Sequence, residues 1–284
     1  MIDFRLRPPL GGFLEADMFA NAKRAAAKAA DVGSGHAASA RERSMALLLE
    51  EMDRAGIALG VVTGRANSVL GSIRNDDLRA IVARRPDRFV AFAGIDATDR
   101  HRALAEIDAA TGPGFKGISL EPGLYPDPWH LDDARLYPLY ARCEERDIVV
   151  LLMSGGNAGP DPTFSSPEHI DRVARDFPGL RIVAGHGNWP WVCEIIHVCY
   201  RRPNLWLSPD VYLNPMLPGA REYVEAANGF MARRFLFGSA YPFSALEDAV
   251  RFMHALPFRP EVLGLVMRDN ARRLLGLDAG EASS

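Results

Sequence analysis

The amino-acid sequence predicts an α/β protein built as one (β/α)8 TIM barrel, and three observations lead to this fold class. Eight short runs rich in apolar residues occur along the chain, and each is followed by a segment with helical spacing. The runs near residues 57, 89, 148, 182 and 235 are apolar nearly throughout, as is typical of parallel strands that helices cover. The length of 284 residues suits a single barrel of eight such units.

The predicted strands and helices alternate from one end of the chain to the other. The predicted strands cover residues 2–7, 57–63, 89–95, 115–120, 148–153, 180–186, 205–208 and 234–239. The predicted helices cover residues 17–31, 44–55, 75–85, 101–110, 132–145, 167–177, 190–201, 218–228, 244–255 and 260–275. Local signals support their ends: Gly56 ends the second helix, Asn75 is placed to cap the third, and Pro260 suits the first position of the last.

An open, doubly wound sheet is the structural alternative to a barrel. The barrel is favoured because no glycine-rich dinucleotide-binding loop follows the first predicted strand. Neither an internal repeat nor a linker indicates a second domain, so we assign residues 1–284 to one domain. Residues 10–41 form a long insertion after the first strand, and residues 279–284 are expected to be a frayed tail.

Composition and charge argue against several classes of function. Charged residues make up 24% of the chain and the net charge is −3, so no basic surface is expected for nucleic acid or an acidic membrane. Three cysteines, an odd number, argue against a disulfide framework. The first residues lack the features of a signal peptide, and no run approaches about 18 apolar residues. We therefore expect a cytoplasmic protein with neither nucleic acid nor a membrane as a partner.

The first strand carries an unusual set of charged side chains. Apolar residues alternate there with Asp3, Arg5 and Arg7, so one face of the strand would carry an acid and two guanidinium groups. A solvated edge strand is the simpler interpretation of this pattern taken alone. Guanidinium groups also bind carboxylates in a bidentate manner, so the same pattern is compatible with a site for an organic acid.

Seven segments in a fixed order carry a resemblance to a known family. They are Ile2-Asp3 and residues 52–57 (MDRAGI), 114–118 (GFKGI), 136–140 (LYPLY), 185–187 (GHG), 237–242 (FGSAYP) and 270–275 (NARRLL). Their order resembles that of the metal-dependent amidohydrolase superfamily, in the amidohydrolase-2 branch that includes aminocarboxymuconate-semialdehyde decarboxylase and related lyases and lactonases. The resemblance extends over nearly the whole chain and implies a TIM barrel whose site lies at the carboxyl ends of the strands.

The metal ligands of that family are mostly absent from this sequence. Its first strand ends in His-x-His where this chain has Arg5 and Arg7, and its fifth-strand histidine corresponds to Met153. Its eighth-strand aspartate corresponds to Ala240, and only the sixth-strand histidine remains, as His186. Arginine keeps its proton and has no lone pair to give a cation. We therefore predict no tightly bound metal and an anion pocket in its place. An inactive remnant, or a divalent metal such as zinc on other ligands, remains the alternative.

The resemblance and the strand ends together suggest roles for seven residues. His186 resembles the proton-transferring histidine of the decarboxylase-like relatives, and Asp210, at the end of the seventh strand, is placed to orient it or to pair with an arginine. The residues predicted to bind the substrate, by carboxylate contacts or by their place at the same strand ends, are Arg5, Arg7, Lys116, Asn188 and Ser239.

The resemblance implies an enzyme that acts on a small carboxylated molecule. We predict a hydrolase of a lactone, ester or amide that does not use a tightly bound metal. The alternatives are a decarboxylase or other lyase of the same family, a metal hydrolase with relocated ligands, and a non-catalytic barrel that binds an organic acid. Relatives are often dimers or larger, so a homo-oligomer is expected.

Overall fold

The computed structural model describes residues 1–110 and 112–277, so the tail predicted at 279–284 lies outside the described residues. In this part of the chain, seven strands form one parallel sheet in chain order. They are β1 (Ile2–Leu6), β2 (Leu59–Thr63), β3 (Phe89–Gly94), β4 (Phe115–Leu120), β5 (Val149–Met153), β6 (Ile182–Gly185) and β7 (Leu205–Ser208). Because every strand pairs with the next one in the sequence, the sheet curls into the wall of a barrel.

The eighth predicted strand closes the barrel without forming a regular ladder. Residues 234–241, called the closing segment below, lie between β7 and β1. The amide of Phe4 donates to the carbonyl of Phe237 at 2.9 Å, and the amide of Leu236 donates to the carbonyl of Leu207 at 2.9 Å. Hydrogen bonds on both sides of the closing segment complete the wall, and the prediction of a TIM barrel is confirmed.

Helices connect the strands and cover the outer face of the sheet. They are α1 (Asp17–Ala20), α2 (Ala22–Asp31), α3 (Ala38–Arg41), α4 (Met45–Ala55), α5 (Asn75–Arg84), α6 (Arg100–Ala109), α7 (Tyr137–Glu145), α8 (Pro167–Asp176), α9 (Val192–Arg201), α10 (Ala220–Asn228), α11 (Leu246–Ala255), α12 (Pro260–Gly264) and α13 (Asn270–Leu274). None of the helices in the described residues is long and apolar enough to cross a membrane.

Several predicted helices differ from the structure in their bounds, and in two cases a particular asparagine explains the difference. The helix predicted at 17–31 is divided at Asn21, whose side chain accepts a hydrogen bond from the amide of Arg24 at 3.0 Å and so begins α2. Asn75 was predicted to cap α5, and this is wrong. Its side chain instead binds both the amide and the carbonyl of Gly94, at 2.9 and 3.1 Å, and joins the helix to the end of β3.

Helix α4 has the end signals and the apolar face that the sequence predicts. Ser44 accepts a hydrogen bond from the amide of Leu47 at 3.3 Å, and Gly56 ends the helix with φ of 70°. That left-handed conformation is readily available only to glycine. Leu48 and Met52 lie one turn apart on the buried face, so the helix packs against the sheet.

The insertion, residues 10–41, folds over the carboxyl ends of the strands and contains α1, α2 and α3. The side-chain amide of Asn214 donates to the carbonyl of Val32 at 2.8 Å, and the hydroxyl of Ser34 donates to Asp248 at 3.0 Å. These bonds attach the insertion to segments that follow β7 and the closing segment. The insertion therefore forms part of the wall above the barrel.

A β-bulge in β1 decides which side chains face the inside of the barrel. The pairing of β1 with β2 shifts by one residue between Asp3 and Leu6. Phe4 belongs to the apolar cluster inside the barrel, where its ring lies 5.5 Å from that of Phe92, whereas Leu6 packs with the helices outside. Because of this shift, Arg5 directly follows an inward-facing phenylalanine and also points inward.

Candidate active site

A cavity of about 370 Å³ lies at the carboxyl ends of the strands, between the barrel and the insertion. Its wall includes Arg5 and Arg7 from β1 and the residue after it, and His186 directly after β6. Arg5 and Arg7 are 2% and 3% exposed, so neither belongs to a solvated edge strand. The structure thus brings three of the seven predicted site residues into one cavity.

Asp210 lies behind His186, outside the cavity wall. Nδ1 of His186 is 3.1 Å from Oδ2 of Asp210, although the alignment is poorer than that of a regular hydrogen bond. The other carboxylate oxygen of Asp210 accepts a hydrogen bond from the hydroxyl of Ser208 at 2.6 Å. Ser208 ends β7, so the neighbouring strand ends hold the imidazole and the carboxylate face to face.

The surroundings of this pair keep the imidazole neutral and the carboxylate ionised. Burial lowers the pKa of His186, and the positive charges of Arg5 and Arg7 lower it further, against the opposing effect of Asp210. Burial alone would raise the pKa of Asp210. His186, Arg5 and Ser208 together outweigh burial and hold that pKa below its ordinary value. The pair is therefore a neutral base beside a charged acceptor.

Unusual backbone conformations cluster at the same strand ends. Four residues that are not glycine have positive φ there: His186 at 60°, Asn188 at 54°, Asp210 at 54° and Ala240 at 58°. Such conformations cost free energy and persist where the surrounding structure imposes them, which is frequent at functional sites. A Cβ atom at Gly238 would lie 2.5 Å from a carboxylate oxygen of Asp210, so only glycine permits this approach of the closing segment.

Arg5 lies in a charged cluster at the base of the cavity. Its Nη2 is 3.6 Å from Glu121, which also accepts a hydrogen bond from Nε of Arg65 at 2.7 Å. Burial would raise the pKa of Glu121, but Arg65, Arg5 and Arg7 outweigh it and lower that pKa. Nε and Nη1 of Arg5 are buried and have no hydrogen-bond partner among the described residues. Arg5 therefore keeps two unpartnered N–H groups while its side chain forms part of the cavity wall.

Arg7 is buried without a carboxylate partner. Its Nη1 donates to the carbonyl groups of Ala240 and Tyr241, at 3.2 and 3.4 Å, and its guanidinium lies 5.7 Å from the ring centre of Phe243. Burial and the like charges of Arg5 and Arg65 lower the pKa of Arg7. Burying the positive charge of Arg7 costs more free energy than burying that of Arg5, because no described carboxylate comes within 4.0 Å of Arg7.

Ser239 and Asp3 bind each other and lie outside the cavity wall. Asp3 accepts hydrogen bonds from the amide and hydroxyl of Ser239, at 2.9 and 2.5 Å, and from the amide of Arg5 at 3.0 Å. The predicted substrate contact of Ser239 therefore does not fit its position, since its hydroxyl joins the closing segment to β1. Asp3 does not share the inward face of the two arginines, because the bulge separates them.

Asn188 and Lys116 are also misplaced in the prediction. Asn188 is fully buried, accepts a hydrogen bond from Ser154 at 2.7 Å and donates to the carbonyl of Ser165 at 3.1 Å, so its amide links two loops. Lys116 is the second residue of β4, not one of its last. It therefore lies at the amino end of the barrel, in a different cavity that includes Arg181.

The cavity also contains side chains that are not among the seven predicted site residues. Glu121 and Arg65 follow β4 and β2, and position after a strand end was a usable signal for both. Lys28 comes from α2 of the insertion, which no strand pattern indicates. The rings of Trp189 and Tyr212 stack at 4.7 Å on another side of the cavity and provide a flat aromatic wall.

The residues present do not fit the divalent metal of related enzymes. Among the described residues, no three His, Cys, Asp or Glu side chains form a group that could hold a metal ion. At the positions that resemble the family's ligands, Arg5 and Arg7 would repel a cation, Met153 offers only a weak thioether, and Ala240 offers no ligand atom. No chemical step is therefore assigned to a metal at this position.

Comparison with known sequences identifies the family. The family model described as Amidohydrolase, in the amidohydrolase-2 branch, matches residues 33–277. The chain belongs to this family, and the resemblance stated from its motifs is confirmed.

Known relatives agree on the fold and favour one class of reaction. An uncharacterized TIM-barrel protein from Bordetella bronchiseptica superposes with a TM-score of 0.94 and 48% identity, over 98% of this chain and 99% of that one. A dihydroxybenzoic acid decarboxylase from Polaromonas, with bound manganese and the inhibitor 2-nitroresorcinol, has a TM-score of 0.67 and 17% identity, over 83% and 86%. A gamma-resorcylate decarboxylase from Rhizobium radiobacter is 24% identical over 72% of this chain and 75% of that protein. These named relatives favour the decarboxylase alternative over the predicted hydrolase.

Proposed function

We propose that this protein is a carbon–carbon lyase that decarboxylates a small hydroxylated ring carboxylate by acid–base catalysis, without a metal at the family's usual position. The observation that carries the proposal is the pair of unpartnered N–H groups of buried Arg5 in the same cavity as the His186–Asp210 pair. The named decarboxylase relatives support the reaction class, and the arginines in place of metal ligands support the metal independence.

The reaction needs one proton at a ring carbon. In the proposed mechanism, the protonated form of His186, which the lowered pKa makes the minor form at neutral pH, delivers a proton to the carbon that bears the carboxylate. The neighbouring hydroxyl loses its proton to solvent and becomes a ketone oxygen. The bond to the carboxylate then breaks, CO2 leaves, and the electron pair returns to that oxygen. The oxygen and His186 each take up a proton from solvent, so one proton is consumed for each CO2 released.

Arg5 would act on the oxygen that receives the electron pair. A cation held on the departing carboxylate opposes decarboxylation, because the carboxylate loses its charge as CO2 forms. A cation held on the ring oxygen assists it, because charge accumulates there. One of the unpartnered N–H groups of Arg5 would donate to that ring oxygen. Buried Met153 gives the departing group an apolar neighbour in the same wall.

Hydrolysis of a lactone is the second candidate, and one observation favours it. The neutral imidazole of His186 beside ionised Asp210 is suited to remove a proton from water, and Arg5 would then stabilise the oxyanion. The two reactions require opposite protonation states of His186. The rates of the two reactions therefore depend on pH in opposite ways. As pH rises through the pKa of His186, the rate of hydrolysis by base catalysis should increase and the rate of decarboxylation by acid catalysis should decrease.

The test uses gamma-resorcylate and a panel of other hydroxybenzoates with the purified protein in D2O. We expect CO2 release and one deuterium at the carbon that carried the carboxylate, measured by mass spectrometry. His186→Asn should lower the rate about a hundredfold or more, and His197→Asn, an exposed histidine on α9, should leave it unchanged. Opening of lactones without CO2 release from any hydroxybenzoate would reject the decarboxylase in favour of the hydrolase.

A further inference from the structure

The cavity wall carries more positive than negative side chains, although the chain as a whole is negatively charged. Among the described residues that line the cavity, five are cationic and three are acidic, while the whole chain has a net charge of −3. Glu121 is paired with Arg65 and Arg5. On the insertion, Asp17 is paired with Arg24 at 3.0 Å.

Two cations remain without a carboxylate partner among the described residues, and both lie near the same aromatic ring. Arg7 and Lys28 have no carboxylate within 4.0 Å among the described residues. The guanidinium of Arg7 lies 5.7 Å from the ring centre of Phe243, and the ammonium of Lys28 lies 5.0 Å from it. Burial, Arg24 and Arg7 lower the pKa of Lys28, although Asp17 opposes them. An anion near both groups would offset the repulsion between these like charges.

We infer that Arg7 and Lys28 form a second anion subsite and that the substrate is a ring with two carboxylate groups. The inference rests on the proposed function, in which Arg5 and His186 hold the reacting end of the ring. The second carboxylate would lie at the entrance side, beside Phe243, where it neutralises the two unpaired cations. The stacked rings of Trp189 and Tyr212 provide a flat wall for the ring between these two ends.

This subsite would make the insertion the determinant of substrate specificity. Arg7 follows β1 and belongs to the barrel, but Lys28 belongs to α2 within residues 10–41. The barrel alone therefore supplies the reacting end of the site, and the insertion completes recognition of the second carboxylate. Lys28 is only half-buried, so its replacement is compatible with folding.

The test compares ligands that differ only by the second carboxylate. Calorimetric titration would use 2-hydroxybenzoate, 4-hydroxybenzene-1,3-dicarboxylate and 2-hydroxybenzene-1,4-dicarboxylate. We expect at least one diacid to bind about tenfold or more tightly than 2-hydroxybenzoate. Lys28→Met should remove this advantage and leave 2-hydroxybenzoate binding within about twofold. Lys23→Met, an exposed lysine of the same helix outside the cavity, is the matched control and should change neither.

Two results would overturn the inference. The first is that neither diacid binds more tightly than 2-hydroxybenzoate to the unmodified protein. The second is that Lys28→Met weakens 2-hydroxybenzoate as much as it weakens the diacids. Arg5→Met separates this failure from failure of the proposed function: loss of 2-hydroxybenzoate binding in that variant supports the reacting end of the site whatever the diacids do, and unchanged binding rejects it.

Discussion

At the scale of single residues, the two arginines of the site differ in their partners although they share a cavity. Arg5 has Glu121 at 3.6 Å, whereas Arg7 donates to the backbone carbonyl groups of Ala240 and Tyr241 and has no carboxylate within 4.0 Å among the described residues. Replacing Arg5 takes a positive charge away from the buried carboxylate of Glu121 and leaves that carboxylate less stabilised. Replacing Arg7 takes no direct ion-pair partner away from any described carboxylate. The same substitution should therefore affect stability differently at the two positions.

We predict that Arg5→Met lowers the free energy of unfolding by about 1–3 kcal/mol, while Arg7→Met leaves it unchanged or raises it. Both variants should bind their carboxylate ligands more weakly, by about tenfold to a hundredfold. Denaturant unfolding and calorimetry measure the two effects. Equal losses of stability at both positions would show that Arg7 is a structural cation and not a ligand contact.

The difference in the free energy of unfolding between Arg5→Met and the unmodified protein should also depend on pH. The pKa of Glu121 is lowered in the folded protein, so its stabilising contribution is present above its unfolded pKa and is lost as pH falls through the folded value. The gap between Arg5→Met and the unmodified protein should therefore be largest near neutral pH and shrink in acid. A gap that widens in acid would contradict an ionised Glu121 at this place.

His186 offers a test that needs no substrate. We expect its imidazole to titrate below the ordinary value of 6.5, because burial and the two arginines outweigh Asp210. Asp210→Asn should move the midpoint lower still, and Arg7→Met should move it higher. NMR titration of the imidazole Cε1–H signal, assigned by its loss in His186→Asn, measures all three. A midpoint above 6.5 in the unmodified protein would reject the neutral base.

The sequence predicted the side chains that face the cavity better than it predicted the residues around them. Arg5, Arg7 and His186 were predicted from the family resemblance together with the ends of β1 and β6, and Asp210 from the end of β7, because carboxyl ends of barrel strands meet on one face. Lys116 was misplaced although the bounds of β4 were predicted correctly, because the second residue of a strand lies at its amino end and the cavity lies at the carboxyl ends.

At the scale of single elements, β1 and the closing segment depend on each other. The bulge in β1 turns Arg5 inward, and the side chain of Asp3 binds the amide of Arg5 on one side and Ser239 on the other. Burial raises the pKa of Asp3 although these donors oppose it. One buried carboxyl group thus fixes both the bulge and the last side of the barrel.

We predict that Ser239→Ala lowers stability by about 1–3 kcal/mol because Asp3 loses a buried donor and the amide of Tyr241 loses its acceptor at 2.9 Å. Binding of 2-hydroxybenzoate should stay within about twofold of the unmodified protein, since Ser239 lies outside the cavity wall. Thermal unfolding and calorimetry measure both quantities. Weakened binding with unchanged stability would restore Ser239 as a substrate contact.

The order of elements was predictable, but side-chain bonds altered several of their details. Seven of the eight predicted strands are regular, and the eighth forms only isolated bridges. The sequence at 234–239 is as apolar as a strand, but Ser239 bends toward Asp3 and Ala240 adopts positive φ. These constraints come from residues more than 200 positions away, which local patterns do not reveal.

At the scale of the whole molecule, a family fold keeps its architecture while the charge at its centre changes sign. The barrel superposes on an uncharacterized TIM-barrel protein with a TM-score of 0.94 and on a decarboxylase that contains manganese with a TM-score of 0.67. In this chain the cavity has an excess of positive side chains inside a protein of net charge −3. Such a centre attracts anions and excludes cations, because both effects follow from the same buried charge.

The most direct test of this account is a calorimetric titration of 2-hydroxybenzoate into chelator-treated protein, repeated after manganese is added. We expect the same dissociation constant within about twofold in both cases, because in the proposed mechanism Arg5, and not a metal, supplies the positive charge. Binding that is absent from the chelator-treated protein and appears only with manganese would contradict the replacement of the metal by arginine.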